Sequence, residues 1–217
     1  MDRMKAKIIK TVLVVSIVIG LLVCMVMLPF RSMLVEAITA TSAPVEDVRE
    51  GDVIFQTSLS SQSPMIKMGT CSSVTHCGIV VMIDGKPYVL ETLKTLVITP
   101  IEKFIARGKN GKYWLKRSDN EYIKIKYNHY LGKAYDLAFR LDNDVYYCSE
   151  LVYDIYLNQL DIELCNPKTV DDYLLIGIDR ISMIRNAMNE RGITMEQYAI
   201  APKDIFQSKK LKLVKQE

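Results

Sequence analysis

This 217-residue chain predicts an α+β domain, and three observations carry that expectation. The first half holds β-branched runs joined by the hairpin signal Asp84-Gly85, which mark antiparallel strands. From about Val145 onward apolar residues recur at helical spacing. The two kinds of element are segregated along the chain, without the regular strand and helix alternation that builds a parallel sheet.

The N-terminus is a separate problem. Thr11 to Phe30 is a run of twenty residues without a formal charge, preceded by Arg3, Lys5, Lys7 and Lys10. At about 1.5 Å per helical residue it spans roughly 30 Å, the hydrocarbon thickness of a bilayer, so a transmembrane helix is expected. The basic flank favours a cytoplasmic N-terminus and a body outside the cytoplasm. The competing reading is a cleaved signal peptide, with Val35-Glu36-Ala37 as a processing site; its usual apolar region is shorter, about 7 to 15 residues. Residues 1–36 are therefore expected to be the membrane anchor (or signal peptide), 37–47 a small and polar linker, and 48–217 the folded domain. In the cleaved case that domain is secreted or periplasmic.

Within the domain, Gly51 to Phe55 reads as a first strand opened by a turn, and Ser58 to Ser63 as a Ser-rich loop. Cys77 to Ile83 and Tyr88 to Glu91 are the arms of the hairpin. Thr99 reads as an N-cap with Pro100 at the first position of a short helix carrying Ile101, Phe104 and Ile105. Lys112 to Lys116 is a further strand, and Tyr122 to Lys126 is a strand or a helical turn. Asp142, Asn143 and Asp144 supply capping side chains for an amphipathic helix over Val145 to Gln159. A second long helix is expected over Val170 to Asn189, and the lysines at 209, 210, 212 and 215 read as a solvated tail.

Charge removes one class of function. Residues 1–36 hold five basic residues (the four above and Arg31) against Asp2 and Glu36, which accounts for the whole net charge of +3. The body is neutral, whereas a nucleic-acid-binding domain carries a basic surplus to replace phosphate counterions; no nucleic-acid partner is expected.

The chemistry centres on Cys148. With Leu151, Val152, Ile155 and Tyr156 it forms one stripe of a helix, and it lies in the first turn. The partial positive charge of the helix end favours thiolate, and the free backbone N–H groups there suit an oxyanion. Asp144 opposes this somewhat. On helix position alone, a buried cysteine used as a small hydrophobe accounts for Cys148 better. His76 shifts the balance. It sits in Thr75-His76-Cys77-Gly78-Ile79-Val80, a costly strand position for an imidazole without a partner. A two-residue turn pairs Ile83 with Lys86, sets His76 opposite Leu93, and leaves Glu91 as its diagonal neighbour, within reach of a glutamate side chain. That carboxylate would fix the imidazole tautomer. His129, in Tyr127-Asn128-His129-Tyr130, reads as a partly exposed histidine. Tyr135 and Asp136 either line the site or close a turn, and Ser149 and Glu150 fall on other faces of the helix from the thiol.

Taken in order, Gly51-Asp52-Val53-Ile54-Phe55, the Thr75 to Val80 run, Tyr88-Val89-Leu90-Glu91, Gly132-Lys133-Ala134-Tyr135-Asp136 and Tyr147-Cys148-Ser149-Glu150-Leu151-Val152 resemble the YiiX/YebB-like permuted papain-like amidases, relatives of the NlpC-type cysteine hydrolases. The likeness runs from about residue 48 to the Ala201-Pro202-Lys203-Asp204 segment. It implies a circularly permuted papain-like (NlpC-like) fold and the roles of nucleophile for Cys148, base for His76 and orienting acid for Glu91. Cys77 departs from the small or aliphatic residue expected there, which raises a bridge to Cys71 or oxidation near the site.

The resemblance does not fix the substrate; outside the cytoplasm the expected ones are amides or esters of the cell envelope: a peptidoglycan peptide, an N-acyl amino acid or a lipid. A membrane-anchored binding module that kept the fold without turnover is the alternative. Cys71, His76 and Cys77 as metal ligands lack a second pair at zinc spacing, so neither a metal nor a cofactor is expected.

Overall fold

The computed structural model describes residues 47–141, 143–174, 185–186 and 188–217. The anchor expected over residues 11–30 lies outside them. Among the described residues no helix is long and apolar enough to cross a membrane.

Six antiparallel strands organise the domain: β1 (Val53–Ser58), β2 (His76–Ile83), β3 (Lys86–Thr92), β4 (Leu96–Pro100), β5 (Gly108–Arg117) and β8 (Lys212–Gln216). They form one sheet in the order β4, β3, β2, β1, β5, β8. A small second sheet pairs β6 (Lys168–Thr169) with β7 (Tyr198–Ala199). The helices are α1 (Ser63–Thr70), α2 (Ile101–Ala106), α3 (Cys148–Leu160), α4 (Val170–Leu174) and α5 (Pro202–Phe206).

The central strands are apolar on both faces because both are covered. Phe55, Ile79, Val81 and Leu90 point to the face packed by Leu151, Val152 and Ile155 of α3. Ile54, Val80 and Val89 point to the opposite face, against Ile101 and Phe104 of α2. Alternation along each strand therefore sorts neighbouring residues into two layers.

Asp84 and Gly85, with φ of 49° and 74°, make the two-residue hairpin turn, and Ile83 pairs with Lys86. Positive φ at both central residues matches the twist of the flanking strands. This register is the one that brings Glu91 diagonal to His76.

Several expectations are corrected. Ser63, at the end of the Ser-rich stretch, opens a helix that runs to Thr70, with Pro64 in its first turn. Thr99 is not an N-cap: it lies in β4, and Pro100 itself occupies the cap position of α2. Residues 122–126 form neither strand nor helix; Ile125 and Lys126 donate their N–H groups to the side chains of Glu50 and Gln159. The main helix starts at Cys148, three residues later than expected, with Tyr147 as its cap residue; Asp144 instead pairs with Lys133 at 2.6 Å. The second helix is described as α4 and at residues 185–186 and 188–189, the rest of its expected span lying outside the described residues. The lysine tail is not free: Lys212–Gln216 adds β8 to the edge of β5, and lysines on an edge strand hinder further pairing.

Candidate active site

Cys148 opens α3 at the rim of the sheet. The helix begins there because Glu150 reaches back to accept the Tyr147 backbone N–H at 3.3 Å, the carboxylate half of a capping box. Ser149 is buried and donates to Ile200 O at 2.7 Å, while the Tyr147 hydroxyl accepts from Ile200 N at 3.0 Å. These two flanking residues clamp the 199–202 segment beside the sulfur and hold its position.

His76 is the first residue of β2. Its Nε2 bonds Glu91 Oε2 at 2.8 Å, and its ring stacks on Phe104 of α2 with centroids 5.5 Å apart. Glu91 is fully buried, opposite Gly78 on the neighbouring strand by continuation of the hairpin register. A Cβ at position 78 would come 2.4 Å from Val89 Cγ1 and 3.3 Å from Glu91 Cβ, so only glycine leaves the glutamate its place. The second carboxylate oxygen accepts from Arg107, at the end of α2, and Thr99 supplies another hydrogen bond. Burial pushes the Glu91 carboxyl up, but His76, Thr99 and Arg107 together hold it below the usual carboxylate range.

With Nε2 committed to Glu91, the remaining ring nitrogen serves the hydrogen bond to Cys148. Burial alone would lower the His76 pKa; the sulfur and the carboxylate outweigh it and raise it to about 9. Cys148 moves the other way. A hydrogen bond from the Cys77 thiol is the largest cause, burial opposes it, and His76 adds both a hydrogen bond and charge, so the thiol lies well below the ordinary range. Cys77 is raised well above its usual value, first by burial and then as donor to that sulfur. Thiolate beside imidazolium is the favoured state, which is the nucleophilic form of cysteine.

The structure thus brings together all three residues expected from the sequence. His129 is exposed, with its ring against Tyr130, and takes no part in this cluster. Asp136 closes a turn, accepting from Ala138 N, Arg140 N and Asn143 Nδ2 at 2.7–3.1 Å, whereas Tyr135 lines the cleft with His76 and Cys148. Arg107, Thr99 and the donor role of Cys77 were missed. No local pattern marks Arg107 or Thr99, since Thr99 meets Glu91 only through the pairing of β3 with β4 and Arg107 only through the packing of α2 on the sheet; Cys77 was visible as a departure from the family pattern. All four described cysteines are free, and Cys71 is exposed while Cys77 is buried, so the bridge between them does not form.

Two spaces meet at the sulfur. An open cleft of about 570 Å³ holds His76, Arg107, Lys94, Gln56 and Tyr135. A second, smaller and apolar pocket of about 80 Å³, which His76 does not line, also reaches Cys148.

Residues 47–215 match the family described as "Permuted papain-like amidase enzyme, YaeF/YiiX, C92 family". The "Uncharacterized protein YiiX" of Escherichia coli (strain K12) is 29% identical over 197 residues, covering 86% of this chain and 96% of that protein. A crystal structure described as "metalloprotein yiiX from Escherichia coli O157:H7, DUF1105" superposes with a TM-score of 0.68 at 31% identity, over 78% of this chain and 97% of that one. Among the described residues here, no group of three or more His, Cys, Asp or Glu side chains is gathered as metal ligands would be. The fold, the order of histidine before cysteine and the match over nearly the whole described domain lead to one assignment: this chain belongs to the permuted papain-like amidases of the YaeF/YiiX type, family C92.

Proposed function

We propose that the chain hydrolyses an amide bond of a cell-envelope substrate through a Cys148, His76, Glu91 triad and a thioacyl-enzyme intermediate. The observation that carries this reading is His76 itself, bonded by one ring nitrogen to buried Glu91 and by hydrogen bond to Cys148 at a helix N-terminus.

The Cys148 thiolate attacks the carbonyl carbon, forming the S–C bond and moving the carbonyl electron pair onto oxygen. The Cys148 backbone N–H, at the first helical position where it has no intrahelical acceptor, would donate to that oxyanion. As the C–N bond breaks, His76 gives its proton to the leaving amine. Water deprotonated by His76 then splits the thioester, releasing the acid and restoring the thiol proton to the pair. Glu91 holds the imidazole in the tautomer and orientation both steps need. An ester takes the same course, with an alcohol leaving. Arg107 and Thr99 act through Glu91 and are positioning residues.

The uncharged run at residues 11–30, with its basic flank, supports tethering of the domain to a membrane on the non-cytoplasmic side. A substrate at or near the bilayer suits that placement.

Labelling by iodoacetamide at pH 5, read by peptide mass spectrometry, tests the central claim. Cys148 is expected to react well ahead of Cys71 despite being buried, and Cys148→Ala is expected to lose all amidase and esterase turnover. Turnover by the variant at the parental rate would refute the nucleophile. Labelling without turnover of any amide or ester would favour a binding module that kept the fold.

A further inference from the structure

The apolar cavity is walled by Met65, Ile66, Phe139, Val170, Ala199 and Pro202 among others, and reaches Cys148. Among the described residues, four bearing hydroxyls also face it, and each has its hydroxyl engaged by protein. Thr70 donates to Ile66 O at 2.7 Å, Ser149 to Ile200 O at 2.7 Å, the Tyr147 hydroxyl accepts from Ile200 N at 3.0 Å, and Tyr173 donates to Asp204. The wall is therefore hydrocarbon in effect. A polar or charged group entering it would lose water for little in return.

Proton flow fixes which part of a substrate meets this wall. His76 must protonate the leaving amine, so the leaving group lies on the His76 side of the sulfur, in the open cleft with Lys94 and Arg107. The acyl group stays bonded to Cys148 and takes the pocket that His76 does not line. Size then limits it: a cavity of about 150 Å³ accepts benzene, so one of about 80 Å³ takes roughly three or four carbons.

Resting on the hydrolase reading above, we infer that this enzyme cleaves amides of short, unsubstituted or branched aliphatic acids, whose alkyl group fills the cavity behind Cys148. A peptidoglycan stem peptide, with its carboxylate and amine side chains, is disfavoured as the acyl donor, and a long fatty acyl chain exceeds the sheltered volume and leaves its end in solvent.

A homologous series of alkyl chloromethyl ketones, with alkyl groups from methyl to undecyl, reads this on the full-length protein. Each places its alkyl ketone where the acyl group would sit; the sulfur attacks the methylene carbon, the S–C bond forms and chloride leaves. The second-order inactivation rate is expected to rise about fourfold per methylene, the equivalent of ~0.8 kcal/mol, up to propyl or butyl and then to fall. Gly69 lies in α1 on the cavity wall, and a Cβ there would meet nothing closer than Met188 Cε at 3.9 Å. Gly69→Leu is thus expected to fold, and to move the optimum to methyl or ethyl without changing the iodoacetamide rate at Cys148. A rate independent of chain length, one that rises steadily to undecyl, or an optimum unmoved in a folded Gly69→Leu protein would overturn the inference while leaving the hydrolase reading intact. Failure of every ketone and of iodoacetamide to modify Cys148 would sink both.

Discussion

The two faces of the central sheet are built from the same kinds of residue but do opposite work at the rim. The α2 face carries a buried acid, its guanidinium partner and the imidazole: Glu91, Arg107 and His76. The α3 face carries two sulfurs, Cys148 and Cys77, in an apolar cluster. On the first face burial of charge is offset by an opposite charge at hydrogen-bond distance; on the second, the charge arises only when a proton crosses from sulfur to ring. The proposed triad is therefore a junction between layers, and each layer is testable by itself.

Breaking the α2 layer has the largest expected effect. Glu91→Gln keeps the size of the side chain but offers His76 and Arg107 no charge, and turnover is expected to fall on the order of 10³- to 10⁴-fold. Circular dichroism establishes that the variant is folded, since removing one member of a buried pair costs about 3–5 kcal/mol. A drop of less than tenfold in a folded variant would mean that Glu91 does not orient the base.

The junction itself predicts how stability varies with pH. The raised His76 contributes stability that is complete below its unfolded value of 6.5 and lost as pH climbs through about 9. The depressed Cys148 contributes stability that is complete above 9.0 and lost as pH falls through its folded value. Between 6.5 and 9 the two slopes cancel, because folded and unfolded chains hold the same one proton, on His76 or on Cys148. Below 6.5 the unfolded imidazole binds a further proton, and this pair's contribution falls. Urea midpoints of parent and Cys148→Ala, compared from about pH 5 to 9, isolate that contribution; parent stability that rises on acidification relative to the variant would contradict a thiolate and imidazolium pair.

The smallest effect sharpens the α3 layer. Cys77→Val conserves an apolar strand residue but withdraws the donor to the Cys148 sulfur, so the pH at which iodoacetamide labelling half-develops is expected to move upward. His76 still supports the thiolate, which keeps the shift modest. An unchanged midpoint would mean that the neighbouring thiol plays no part in activating Cys148.

Much of this was legible in the chain. Asp84-Gly85 sets the hairpin register, and the diagonal relation of His76 to Glu91 comes with it, because a two-residue turn leaves no freedom in which residues pair. The apolar stripe through Cys148 likewise foretells that the thiol packs inward. Local signals failed where long-range pairing overrode them: Thr99-Pro100 looks like a helix cap, but Leu96–Pro100 is drawn into the sheet by β3, and the lysine-rich end is drawn in by β5.

The sequence alone determined the identity and order of histidine, glutamate and cysteine, and the hairpin geometry, since these rest on turn chemistry and period. Tertiary structure decided what surrounds them. Arg107 meets Glu91 from a helix sixteen residues on, Cys77 meets Cys148 across a strand and a helix seventy-one residues apart, and the apolar cavity has walls from α1, α4 and the 199–202 segment. Contacts of that separation are fixed by how whole layers pack, and no periodicity within one segment encodes them.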